Sequence, residues 1–211
     1  KLLASKGYCC KPRWSIGFKP YKPVPSHLDF DLWLGPAKQQ PYHENLVHYN
    51  WHWFWDTGNG DIGNQGVHQL DVARWAIPGA TLPTKVWSLG GRYGYRDQGE
   101  TANTQMFVCQ YGDIPLIFEV RGLVEGESKD TREVSNEYFL SEGRIKNGRF
   151  FPKNSGAPEP LEDFGRRVKP GGIFGNFINA VRSRDVNELN ADILEGHYSS
   201  ALNHLANISL R

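Results

Sequence analysis

The chain has 211 residues, 39% of them hydrophobic and 13% aromatic, enough apolar material for a real core in one domain, or in one domain with an arm. Its 24 lysines and arginines against 23 aspartates and glutamates leave a formal net charge of +1 with no basic run, so the electrostatic footprint of a nucleic-acid binder is missing. No apolar run approaches the roughly 20 residues that cross a bilayer and no secretory h-region opens the sequence, so no membrane partner is expected; cytoplasm and periplasm both remain open.

Residues 1–25 join one apolar patch to Lys-Pro and Pro-x-Pro punctuation, which predicts a short strand followed by an extended arm, with the arm ending near residue 27. Cys9, Cys10 and Cys109 give an odd count with no C-x-x-C, so reduced thiols are expected rather than a disulfide framework or a zinc site. In residues 28–42, apolar residues alternate before Gly35-Pro36 enforces a turn. The stretch from Trp51 to Trp75 then has aromatic residues at every second position, a glycine cluster, and apolar residues at helical spacing, and it reads as strand, tight loop, helix. If 51–55 is extended, Trp51, Trp53 and Trp55 face one way and His52 and Phe54 the other, a stripe that reads as core.

Beyond Pro78 and Pro83 a strand-rich half is predicted: Thr84 to Leu89, Thr104 to Tyr111, Ile114 to Arg121, Glu137 to Ser141 and Arg144 to Phe150, joined by short glycine turns that make neighbours antiparallel. Both alternating sets in Thr104 to Tyr111 are largely apolar, which suggests a sheet covered on both faces: one by helices, the other by a second subunit or a long loop. Residues 153–172 read as an irregular connection. Phe174, Phe177, Ile178 and Val181 then predict a packing helix, as does the broad apolar face from about Asn190 onward. Lys1 in place of methionine and the helical run LNHLANISLR with no stop signal predict a piece of a longer chain.

Several motifs compete for chemistry. Gly58, Gly60 and Gly63 fit the G-x-G-x-x-G spacing of a dinucleotide loop, but no acid occurs between Asp71 and Asp97 to hold a ribose, and Asp61 inside the loop repels pyrophosphate. A tight turn is the better reading. His48 and His52 are four apart, yet no acidic third ligand has suitable local spacing, so no metal is expected. Asn64, His68 and Asp71 share one helical stripe, putting an amide, an imidazole and a carboxylate together. The alternative is structural, with Asp71 pairing to Arg74 and His68 in a core contact.

The runs DLWLGPA (31–37), NWHWFWDTGNGDIGNQGVHQLDVARW (50–75) and EGHYSSALNHLANISLR (195–211) resemble the C-terminal domain of the Gfo/Idh/MocA oxidoreductases. The resemblance implies an α+β fold over residues 28–211, with a large, mostly antiparallel sheet and helices packed on one face, serving substrate binding and homo-oligomerisation. It implies NAD or NADP held by an N-terminal Rossmann domain that this chain lacks, so no cofactor is expected on these residues and the chain alone is expected to be inactive. The family's Asp-x-x-x-His pair falls on Asn64 and His68, which makes His68 the expected general base and leaves Asn64 able to orient a hydroxyl but not to take its proton. Asp71, Trp55, His52 and Asp61 are the expected substrate-binding residues, for a sugar, cyclitol or related polyol. Two alternatives are carried: a glycosidase using NAD for transient oxidation and elimination, and a non-catalytic dimerisation domain.

Overall fold

The computed structural model describes residues 1–124, 133–154, 157–161 and 168–211. Among these, strand β1 (Leu2–Cys10) lies inside an eight-stranded sheet with β2 (Lys85–Gly91), β3 (Thr104–Tyr111), β4 (Ile114–Arg121), β5 (Val134–Leu140), β6 (Gly143–Lys146), β7 (Arg149–Pro152) and β8 (Glu159–Pro160). The order is β2-β3-β4-β1-β5-β6-β7-β8. β1 pairs with β4 in parallel and with β5 antiparallel, and the remaining neighbours are antiparallel, as their short turns require. The strand expected over 144–150 is two strands, because Asn147 and Gly148 turn the chain with φ of 50° and 71°.

Five helices accompany the sheet in the described residues: α1 (Phe30–Leu34), α2 (Asp61–Asn64), α3 (Gly66–Trp75), α4 (Gly172–Ser183) and α5 (Ile193–Leu210). α3 and α5 cover one face. Phe107, Cys109, Leu116, Phe118, Val120 and Cys9 point up from the strands to meet Ile62, Leu70, Ala73, Leu202 and Ala206. The α+β class, with a mostly antiparallel sheet carrying helices on one face, is what the structure shows.

Small residues let α3 sit close to the strands. A Cβ on Gly66 would lie 2.9 Å from the buried Phe118 ring, and one on Gly7 would lie 2.8 Å from it. The Ser5 hydroxyl donates to the Ala73 carbonyl at 2.7 Å, and Asn136 Nδ2 donates to the Gln69 carbonyl at 2.7 Å, so strand side chains satisfy carbonyls along the helix. The pairing of Ser5 with Ala73 at one end and of Gly66 with Phe118 at the other sets α3 antiparallel to β1. The first turn of α3 therefore stands above the end of β1 where the arm departs.

Three expectations about local structure are corrected. The alternating aromatic run at 51–55 is not a strand: Asn50–Trp53 is a single 3-10 turn that buries His52 and Trp53 and leaves Trp51 at the surface. The Gly60 N–H donates to the His52 carbonyl at 2.8 Å, and Gly58 packs where a Cβ would be 2.4 Å from the His52 Cα, so the glycine loop folds back onto this turn. The alternation in 28–42 is likewise superseded by helix α1, whose first turn is capped by the Asp29 carboxylate on the Leu32 N–H at 3.0 Å. Finally, α4 forms, but Phe174 and Phe177 remain 77% and 62% exposed rather than packed. The helical period specifies the helix and not its partner.

Candidate functional site

The arm, the glycine corner and the first turn of α3 meet at the end of β1. Arg13 N–H donates to the Gly122 carbonyl at 2.7 Å, which holds the arm beside the end of β4. Two residues earlier, Lys11 Nζ donates to Gln65 Oε1 at 2.7 Å, tying the arm to the junction between α2 and α3. Gln65 interrupts the regular helix, yet its N–H still reaches the Asp61 carbonyl at 3.0 Å, so Asn64 and His68 keep about one turn of separation. Gly66, Leu70 and Ala73 face the core, while His68 is exposed and Asn64 half-buried. The imidazole therefore stands on the solvent side of α3.

Asp61 and His52 lie below the surface. Asp61 is fully buried, and its Oδ1 receives Arg13 Nη2 at 2.5 Å across 48 residues of sequence. His52 is 1% exposed, with Nδ1 2.9 Å from the Tyr49 carbonyl. Since a carbonyl can only accept, Nδ1 carries the proton and Nε2 is a bare acceptor. Burial holds this imidazole below its ordinary pKa of 6.5, and the carbonyl contact opposes that shift without cancelling it, so the ring is neutral.

The other two expected binding residues lie elsewhere. Asp71 accepts the Ser199 hydroxyl, which in turn accepts Arg74 Nε at 2.8 Å, so the carboxylate links α3 to α5 through a serine rather than pairing directly with Arg74. Trp55 lines a cavity of about 540 Å³ with Trp51, Asn59, His204 and Arg211, and the Arg211 guanidinium lies 5.1 Å from the centre of its ring. His68 does not line that cavity. The six residues thus fall in four places: Asn64 and His68 together at the surface, Asp61 and His52 beneath the arm, Asp71 between helices and Trp55 at the end of α5. Arg13, Lys11 and Gln65 join the site without any signal in local spacing; Arg13 sits in an arm that reads as punctuation.

The residues at the corner do not suit the phosphates of a dinucleotide. The Gly60 N–H is committed to His52, the Asn64 N–H to the Gly60 carbonyl at 3.0 Å, and Asp61 fills the loop with buried carboxylate. Among the described residues, no three histidine, cysteine, aspartate or glutamate side chains come together as a metal would need. Burial pushes the Cys9 and Cys109 thiols to about 12, which removes both as nucleophiles near neutral pH. No helix among the described residues is long and apolar enough to cross a membrane.

Comparison with known proteins bears on the fold and the family. The family described as "Oxidoreductase family, C-terminal alpha/beta domain" matches residues 2–211. No curated protein matches the sequence. Among solved structures, a protein from Erwinia carotovora atroseptica SCRI1043 superposes with a TM-score of 0.60 at 12% identity, covering 100% of this chain and 56% of its own. The WlbA dehydrogenase from Bordetella pertussis, in complex with NADH and UDP-GlcNAcA, gives 0.56 at 17% identity over 99% of this chain and 53% of its own. An oxidoreductase from Agrobacterium radiobacter, in complex with NAD+, L-tartaric acid and magnesium, gives 0.57 at 14% identity over 99% and 54%. The chain therefore spans about half the length of the structures it matches.

Proposed function

This chain belongs to the Gfo/Idh/MocA oxidoreductases as their C-terminal alpha/beta domain, and from that premise we propose that it is the substrate-binding half of a nicotinamide-dependent oxidoreductase acting on a sugar, cyclitol or related polyol. The observation that carries the reading is His68, an exposed imidazole in the first turn of α3 with the Asn64 amide one turn before it. The chemistry supplied by a bound nicotinamide is hydride acceptance, and NAD or NADP would be held by a Rossmann domain outside these residues, since the glycine corner does not suit its phosphates. What this chain contributes is a destination for the proton. His68 takes it from the substrate hydroxyl whose carbon is oxidised, and Asn64 accepts or donates a hydrogen bond that orients the hydroxyl without titrating. Two of the similar structures are complexes with NADH or NAD+ together with UDP-GlcNAcA or L-tartaric acid, which supports both the cofactor and a hydroxyl-bearing substrate.

The partner for the sheet is, in this reading, a second copy of the chain. α3 and α5 cover one face, while Trp87, Leu89 and Met106 are exposed on the other. The experiment for the catalytic reading uses protein expressed from its natural reading frame, assayed for nicotinamide reduction over a panel of sugars and polyols. His68→Ala is expected to lower kcat/KM by about 10²- to 10⁴-fold, the usual contribution of a general base. The urea midpoint should be unchanged because the side chain is exposed. Activity that survives the substitution removes His68 from the role.

A further inference from the structure

Helix α4 is turned inside out. Asn176 and Ala180, one turn apart, share the side that the chain buries, while Ile173, Phe174, Phe177, Ile178 and Val181 form a stripe turned away from it. All five are exposed, from 43% at Val181 to 79% at Ile173. What holds the helix is polar. Asn176 Nδ2 donates to the Glu188 carbonyl at 2.6 Å, its Oδ1 accepts the Asn190 N–H at 2.9 Å, and the Arg184 N–H caps the last turn on the Ala180 carbonyl at 2.9 Å. Among the described residues its main packing partner is the 3-10 turn Val186–Glu188 rather than the sheet.

A helix of 12 residues is marginal alone, and burial of its apolar stripe normally supplies most of its stability. Within the described residues that burial is missing, so the cover must come from elsewhere. The five side chains present on the order of 500 Å², the scale of one side of an inter-domain contact. A membrane surface is a poor cover: it calls for lysines and arginines on the polar face, whereas α4 carries one charge, Arg182, and residues 184–192 set three acids against Arg184. A second copy leaves the stripe in water whenever it dissociates. A partner on the same polypeptide stays at about millimolar effective concentration and covers the stripe throughout. The similar solved structures have room for such a partner, since they match 99–100% of this chain while it spans only 52–56% of theirs.

We propose that the apolar stripe of α4 is the docking surface for the other half of the same polypeptide, the half to which the nicotinamide reading assigns the cofactor. The proposal rests on that reading for the identity of its partner, and not on His68 or on turnover. The partner is expected to offer an apolar face with no charge at its centre.

The test places the photo-crosslinking amino acid p-benzoylphenylalanine at Phe177, and separately at Phe174, in protein expressed from its natural reading frame. The replacement keeps an aromatic ring at an exposed position and costs little packing within these residues. After irradiation, mass spectrometry of the band of monomer mass is expected to find the label joined to a peptide of the same polypeptide outside these 211 residues. Covalent dimers, crosslinks confined to these residues, or no crosslink at either position overturn the proposal. A second measurement uses Phe174→Glu with Phe177→Glu: protease cutting between the two halves is expected to become about tenfold faster, and an unchanged rate overturns the docking. Neither readout requires turnover. A crosslink into the other half of a protein that reduces no nicotinamide keeps the contact and removes the oxidoreductase reading, whereas nicotinamide reduction without the crosslink does the reverse.

Discussion

Asp61 shows at the scale of one residue what a helical stripe can and cannot say. Spacing places it at the entrance to the helix, and a carboxylate there looks available to a substrate. The structure turns it inward, fully buried, onto Arg13. Nothing near Asp61 in the sequence announces that partner, because the ion pair closes only when the arm returns over the corner. His68 was more legible, since the spacing that sends Leu70 and Ala73 inward sends His68 outward. Removing one member of a buried pair strands the other, a larger effect than the net worth of the pair itself. Asp61→Ala is accordingly expected to destabilise the fold by about 3 kcal/mol, read as a lower urea midpoint, and a loss under about 1 kcal/mol would mean that Arg13 finds water instead. The arm should loosen first, with faster amide exchange at Arg13, whose N–H is bonded to Gly122.

Elements were legible where their period matched their burial. β3 and β4 run over the residues that alternation predicts, because each carries one row of side chains into the core under α3 and α5. The aromatic run at 51–55 alternates as regularly and is not a strand, because the glycine loop folds back on His52 and takes the backbone bond that a neighbouring strand would have used. That choice buries two histidines, His43 and His52, in one aromatic segment, and burial lowers the pKa of both from 6.5. A group with a depressed folded pKa contributes stability that is complete above its unfolded value and is lost as the pH falls toward its folded value. Stability should therefore decline from about pH 6.5 downward, with the loss beginning in residues 42–57. Hydrogen exchange at pH 7 and pH 5 checks this: protection should fall in that segment while β3 and β4 keep theirs. Uniform loss across the sheet would assign the acid sensitivity to carboxylates elsewhere.

The whole molecule is a sheet with two unlike faces. Under α3 and α5 the strands pack a dry core, whereas the opposite face changes character across its width. At the β2–β3 edge Trp87 stands beside Val108 and Leu89 beside Met106; toward the centre, Lys6 meets Glu119 at 3.0 Å, and Tyr8 is capped by the Lys6 and Lys146 ammonium groups at 5.2 and 5.6 Å from its ring. The sequence showed that β3 is apolar on both sides but not how far this extends, because the charges of β1, β4 and β5 join it only through strand order. A patch that is apolar at one edge and charged at the centre can meet its own copy about a twofold axis, each apolar edge covering its counterpart. Trp87 and Leu89 are 53% and 68% exposed in the single chain, so replacing them costs little packing within it. If the face pairs two copies, Trp87→Glu with Leu89→Glu sets unpaired carboxylates into a desolvated contact, and light scattering on protein from the natural reading frame should show the mass halved with the helical and strand signals intact. A wild-type protein that is already monomeric at micromolar concentration, or a double variant whose mass does not change, would leave the exposed tryptophan to some other partner.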